Sequence, residues 1–288
     1  MDCNFAEVDP TLASDPRVIL NLLALERSTM PPCDYFRNIQ RDIQPFMRKV
    51  VTTWMLEVCD EQRCEEQVFP LAVNYMDRFL CMCPISRQQF QLLGAVCLLL
   101  ATKIRQCYAL TTDLLCAYTD YSVSPDEIRN WELLLLATLQ WNLSGTTGYD
   151  FVDHILERVK WGRENLHIRQ HALTLVSVCQ TETMFMQSSP SVLACSCICA
   201  ATRGIKAPSA KFSLHDVCRL TQCDPLEVEL TVRHIENVVA KETAAMQKQY
   251  GPVKVQQYPM IPGKMATGMD CGELGQPETP TDVQDVYL

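Results

Sequence analysis

Apolar residues recur along the chain at the three-to-four-residue spacing of buried helix faces, and the first half shows neither strand-like alternation nor a hairpin turn. Met47, Val50, Val51 and Trp54 fall at i, i+3, i+4 and i+7 and share one face of a helix beginning near Gln44 and ending at Asp60. The stretch 86–105 is almost wholly apolar and closes on the charge of Lys103. Helices are also expected over 65–80, 112–119 and 124–141. The last opens on Ser124-Pro125-Asp126-Glu127, an N-cap serine, a proline at the first helical position and a capping-box glutamate. Upstream, Asp15 as N-cap and Pro16 start a short helix through Arg27 with Val18, Leu22 and Leu25 as its stripe, and Met30-Pro31-Pro32 breaks it.

Residues 142–148 contain Ser-Gly-Thr-Thr-Gly and read as a linker. Helical periodicity then returns over 149–159, 165–187, 190–203, 214–222 and 224–249, again five segments. The halves echo each other. Cys97 with Ala101-Thr102-Lys103 recurs as Cys197 with Ala201-Thr202-Arg203, and Ser124-Pro125-Asp126-Glu127 as Asp224-Pro225-Leu226-Glu227. The common order and near-constant offset predict an all-α chain built from a duplicated five-helix unit. The expected organisation is an N-terminal segment over 1–42, a first unit over 43–142, a second over 147–249, and a disordered tail over 250–288. In that tail Pro, Gly, Thr and Gln replace the apolar period.

Composition narrows the function. The chain has 288 residues, 48% of them hydrophobic, and a net charge of −9. That balance argues against a nucleic-acid partner, which calls for a basic face, and against an anionic membrane surface. No apolar run reaches membrane-spanning length and the first ten residues lack the pattern of a signal peptide, so a cytosolic or nuclear protein is expected. The 16 cysteines are then free thiols, many acting as small core residues.

No nucleotide-binding, metalloprotease, nucleophile-elbow or CxxC motif is present, so no catalytic residue, cofactor or metal is expected. His167 and His171 lie one turn apart with no third ligand near, and Cys195, Cys197 and Cys199 point in different directions along one helix. What stands out is a set of charges in apolar company: Arg48 beside Met47, Asp77 on an amphipathic helix, Lys103 at the end of an apolar one, and Glu132 ahead of a leucine run. An Arg48–Asp77 ion pair would tie two helices together, whereas Lys103 and Glu132 taken alone read as solvated helix charges.

Met47–Glu57, Asn74–Leu80, Leu92–Lys103 and Glu132 together resemble the signature of the cyclin box, and the wording from Met47 to Leu80 resembles the D-type (G1) cyclins in particular. The terminal Thr279-Pro280-Thr281-Asp282-Val283 does so too. The resemblance covers about residues 15–249 and the last dozen, and it is strongest in the first repeat. It implies two tandem cyclin folds and a non-catalytic regulatory subunit of a cyclin-dependent kinase of the four/six class, driving the G1/S transition. It further implies that Lys103 and Glu132 contact the kinase. Met47, Val50, Val51, Trp54, Glu57 and Gln91 would dock Arg-x-Leu segments of substrates and inhibitors. Thr279, once phosphorylated, would mark a nuclear protein for export to the cytoplasm and for a ubiquitin ligase.

Two features depart from the D-type pattern: the tail, which diverges except at its end, and the start. The start reads Met1-Asp2-Cys3-Asn4-Phe5-Ala6-Glu7, without the Leu-x-Cys-x-Glu motif that binds retinoblastoma-type proteins, so such substrates would be recruited by another route. Carrying the repeat forward places Val232 opposite Glu132, so the Lys103/Glu132 pair is expected in the first repeat only. The alternative from another class is a tandem-fold transcription adaptor, like transcription factor IIB or a retinoblastoma-type protein, without a kinase. Its transcription-factor-IIB form needs a basic DNA-facing surface that this acidic chain lacks.

Overall fold

A computed structural model describes Asp9, Thr11 and residues 15–163, 165–211 and 213–250. Thr279 and nearly all of the segment expected to be disordered lie outside the described residues. The described residues as far as Glu236 form one compact unit, and those from Asn237 onward a second.

The secondary structure is helical throughout the described residues. Helix α1 (Arg17–Thr29) and the single turn α2 (Tyr35–Asn38) precede the first array, which is α3 (Pro45–Glu61), α4 (Val68–Leu80), α5 (Phe90–Arg105), α6 (Thr112–Tyr118) and α7 (Pro125–Thr138). The second array is α8 (Gly148–Arg158), a short α9 (Lys160–Arg163), α10 (Leu166–Thr181), α11 (Pro190–Gly204), α12 (Ser213–Thr221) and α13 (Pro225–Tyr250). The expected helix over 165–187 is thus shorter. It stops at Thr181, and a 3₁₀ turn over Thr183–Phe185 follows. The single turns α2 and α9 are too short to leave a period in the sequence.

Each array surrounds one apolar helix. Helix α5 is buried without a break from Leu92 to Thr102, and α11 from Ser191 to Thr202. A helix apolar on every face needs neighbours on every side, and these come from α3, α4, α6 and α7 around α5 and from α8, α10 and α12 around α11. Cysteines fill narrow places in both: Cys97, Cys195, Cys197 and Cys199 are buried free thiols. The repeated threonine does the same work twice. Thr102 Oγ1 donates to the Leu99 carbonyl at 2.8 Å and accepts the Leu110 N–H at 3.2 Å. Thr202 Oγ1 donates to the Cys199 carbonyl at 2.8 Å and lies 3.2 Å from the Ser213 hydroxyl. The capping box expected at Ser124 forms in full, with Glu127 and Ser124 satisfying each other's backbone N–H.

Helix α1 departs from expectation in its orientation. Asp15 does accept the Arg17 N–H at 2.9 Å. The inward face, however, carries Ile19, Glu26 and Thr29, while Leu25 is exposed. The cause is Glu26, whose carboxylate accepts the Ser191 N–H and the Ser191 hydroxyl, both at 2.9 Å, at the first turn of α11. An acid on the free N–H groups of a helix start is favourable, and this one ties α1 to the second array. Burial lifts the Glu26 carboxyl above its ordinary value of 4.5, and the two Ser191 bonds offset this only in part. A carboxyl whose folded pKa is raised adds stability below its unfolded pKa, and that stability is lost as pH rises through the folded value. Glu26→Gln, which keeps an acceptor and cannot ionise, is therefore expected to gain on the wild type as pH rises from 4 to 7. Urea midpoints of both proteins across that range check the sign.

Candidate functional site

The face of α3 that carries Val51 and Trp54 lies against α5, and the close approach depends on one glycine. A Cβ on Gly94 would sit 3.0 Å from Val51 Cγ1 and 3.3 Å from the Trp54 ring. With none there, Val51 and Trp54 settle onto α5. Met47, Val51, Trp54 and Gln91 are half-buried, while Val50 is 49% exposed. Glu57 is exposed further along α3 and has no hydrogen-bond or ion-pair partner among the described residues. Partial burial, and then the charge of Asp60, hold its carboxyl above the ordinary value. A carboxylate raised in this way gains when a cation arrives.

A second feature joins α5 to α7. Lys103 Nζ donates to Glu132 Oε1 at 2.6 Å, with side-chain exposures of 45% and 16%. Apolar side chains flank both members: Ile104 and Leu133 are 49% and 64% exposed, and Tyr108 stands out beyond the end of α5. A pair of opposite charges with exposed apolar residues next to it along the chain can bond polar groups of a partner and bury apolar surface with it.

The second array corrects the expectation that this pair is unduplicated. Val232 is fully buried, but Arg203 pairs with Glu229 at 2.5 Å and with Glu236 at 3.7 Å. The acid comes from the turn before Val232, a position a strict residue-by-residue repeat does not reach but one helical step of three does. The hydrogen bond from Arg203 holds the Glu229 carboxyl below its ordinary value.

Arg48 and Asp77 meet in the interior. Arg48 is 1% exposed, and its Nε and Nη2 donate to the two Asp77 oxygens at 2.9 and 2.8 Å. The remaining capacity is used as well. Tyr35 donates to Asp77 Oδ1 at 2.9 Å, and Arg48 Nη1 donates to the Gln180 carbonyl at 3.0 Å and lies 3.4 Å from that of Thr181. Burial alone would pull the Arg48 guanidinium down. The Asp77 charge and its hydrogen bond more than reverse that, and the net shift is upward. This network joins α2, α3 and α4 to the end of α10. Tyr35 and the two carbonyls were not legible in the sequence, because Tyr35 sits in a single turn and carbonyls carry no residue signature.

Among the described residues no three metal-ligating side chains converge, and no helix is long and apolar enough to cross a membrane. His167 and His171 both face solvent, and the thiols of Cys195, Cys197 and Cys199 are all buried.

Comparison with known proteins agrees with this architecture. Residues 17–144 match the family described as cyclin, N-terminal domain, and residues 146–262 the cyclin, C-terminal domain. The chain is 41% identical to the G1/S-specific cyclin-D2 of Xenopus laevis, over 98% of this chain and 96% of that one. It is 39% identical to the G1/S-specific cyclin-D1 of Rattus norvegicus, over 97% and 94%. Among solved structures, a viral cyclin from herpesvirus saimiri superposes with a TM-score of 0.69 over 78% of this chain and 97% of the viral one, at 21% identity. The duplicated helical arrays, the two family matches and full-length relatives of one kind together show that the chain belongs to the cyclin family, among the G1/S-specific D-type cyclins.

Proposed function

We propose that this D-type cyclin is the regulatory, non-catalytic subunit of a cyclin-dependent kinase of the four/six class, and that Lys103 and Glu132 are its kinase contact. The observation that carries the reading is the 2.6 Å Lys103–Glu132 pair, with Ile104 and Leu133, the next residues along the two helices, both exposed. The ammonium and carboxylate bond the end carbonyls and amides of the kinase's regulatory helix, and the apolar rim buries its side. Pressed inward, that helix brings its glutamate to the ATP-binding lysine and helps order the activation loop. Co-expression with a kinase of this class, purification of the complex and an assay on a retinoblastoma-type fragment test the function. A cyclin that forms no complex, or a complex without kinase activity on that fragment, overturns it.

The α3–α5 surface is the proposed docking site for Arg-x-Leu segments of inhibitors and substrates. Met47, Val50, Val51, Trp54 and Gln91 receive the leucine, and Glu57 meets the arginine. This gives retinoblastoma-type substrates a route that needs no Leu-x-Cys-x-Glu motif. An Arg-x-Leu peptide is expected to bind less tightly as pH falls through the raised Glu57 pKa, because the neutral acid offers the arginine no charge. Glu57→Ala is expected to lose about tenfold in affinity and most of the pH dependence. Fluorescence anisotropy between pH 4.5 and 7.5 checks both, and an unchanged pH profile in the variant removes Glu57 from the site.

In the tail, phosphorylation of Thr279 in its Thr-Pro setting adds about −1.5 to −2 charges to an acidic segment. By the family resemblance it drives export from nucleus to cytoplasm and recognition by a ubiquitin ligase. A Thr279→Ala protein that is exported and degraded at the wild-type rate rules this out.

A further inference from the structure

Helix α3 ends in a motif that sets two cysteines side by side. The Cys64 N–H donates to the Cys59 carbonyl at 2.9 Å, and the Arg63 N–H to the Asp60 carbonyl at 3.2 Å. Arg63 takes the left-handed conformation, with φ 49°. These are the bonds of a Schellman ending, in which the side chain of the residue after the left-handed one folds back onto the side chain three positions inside the helix end. In most proteins that contact is between two hydrophobic residues. Here the two positions carry thiols, Cys64 half-buried and Cys59 buried.

We infer that Cys59 and Cys64 form a peroxide-sensitive dithiol that closes to a disulfide and staples the C-terminal end of α3. The turn already draws the two backbones together, as a disulfide requires. The roles follow from exposure. Cys64, which solvent reaches, takes the oxidant, and the buried Cys59 resolves it. The neighbouring Cys59 thiol holds Cys64 below its ordinary value, and the Cys64 thiol together with burial pushes Cys59 up, which favours that order.

The chemistry needs only a peroxide as co-reactant. The Cys64 thiolate attacks one oxygen of hydrogen peroxide, the O–O bond breaks, and hydroxide leaves to become water. The sulfur, oxidised by two electrons, is now a sulfenic acid. Cys59 attacks that sulfur, the S–O bond breaks, and the departing hydroxide leaves as water with the Cys59 proton. The sum is two thiols and one peroxide giving one disulfide and two waters, and a cellular dithiol reverses it by exchange.

Trypsin makes the test specific, because it cuts after Arg63, between the two cysteines. The native full-length protein is treated with a small excess of hydrogen peroxide, alkylated before unfolding, and digested without reductant. The expected product is residues 50–63 joined to residues 64–78, about 2 Da lighter than the free pair and separated by dithiothreitol. It should be absent from Cys59→Ser and from Cys64→Ser. Closing so short a loop should also raise the thermal midpoint of the oxidised wild type by about 5 °C, and not that of Cys64→Ser. Recovery of Cys64 as the alkylated thiol, as a sulfinic acid, or joined to a different cysteine overturns the inference. Because the mass readout requires neither kinase nor docking peptide, it stands apart from the proposed function.

Discussion

Replacing Arg48 with alanine is expected to cost about 3–5 kcal/mol of folding stability, because it leaves the buried Asp77 carboxylate without its counter-charge. Among the described residues the Tyr35 hydroxyl alone would still bond that carboxylate, and the Gln180 carbonyl would lose its 3.0 Å donor. A domain of ordinary stability holds about 5–15 kcal/mol in all, so this is a large share. Urea unfolding at pH 7 measures it, and a loss under about 1 kcal/mol would contradict the account. The damage should not stay in the first array. Since Arg48 bonds the end of α10, amides in the 3₁₀ turn over Thr183–Phe185 should exchange faster in the variant. Arg48→Lys should recover little, because a point ammonium cannot fork to both Asp77 oxygens. Removing the whole polar set, as Arg48→Met with Asp77→Leu and Tyr35→Phe, should recover more than either lone charge deletion, since no buried charge then lacks a partner.

The same network shows what a sequence can and cannot carry. The pairing of Arg48 with Asp77 was legible because each charge lies in apolar company on its helix, and a buried charge needs a partner, for which a second such charge of opposite sign is the candidate a sequence offers. The helices themselves were legible from their periods, and the duplication from matched caps and the shared Ala-Thr-cation endings of α5 and α11. What escaped were features that only the closed structure creates. Glu26 interrupts the α1 pattern as Arg48 interrupts that of α3, but its partner is a backbone N–H and a serine at the start of α11. With no opposite charge to mark the position, the apolar spacing points to Leu25, one residue before the buried Glu26. The Arg203–Glu229 pair escaped for a different reason. Repeat alignment preserves position, whereas a salt bridge preserves reach, and a long arginine meets an acid one turn earlier as well as one directly opposite.

That duplication makes the first-array pair a sharper test of kinase binding. Lys103→Glu with Glu132→Ala is expected to weaken the complex with a four/six-class kinase by about a hundredfold or more, the scale for charges desolvated at an interface. The same change in the free protein should move stability by less than about 1 kcal/mol, because Lys103 is 45% exposed and the pair is a surface one. Affinity and stability should therefore separate, which a folding defect does not produce. Arg203→Glu with Glu229→Ala supplies the control. It breaks the matching pair of the second array, also at the surface, and should leave kinase affinity within about twofold. Calorimetric titration of the purified kinase with each cyclin reads the affinities, and kinase assays on a retinoblastoma-type fragment read activation. If the two double variants lose affinity equally, the contact is not confined to Lys103 and Glu132. If neither loses it, the kinase engages the exposed Ile104 and Leu133 rim without the charges, and the proposed mechanism fails at its first step.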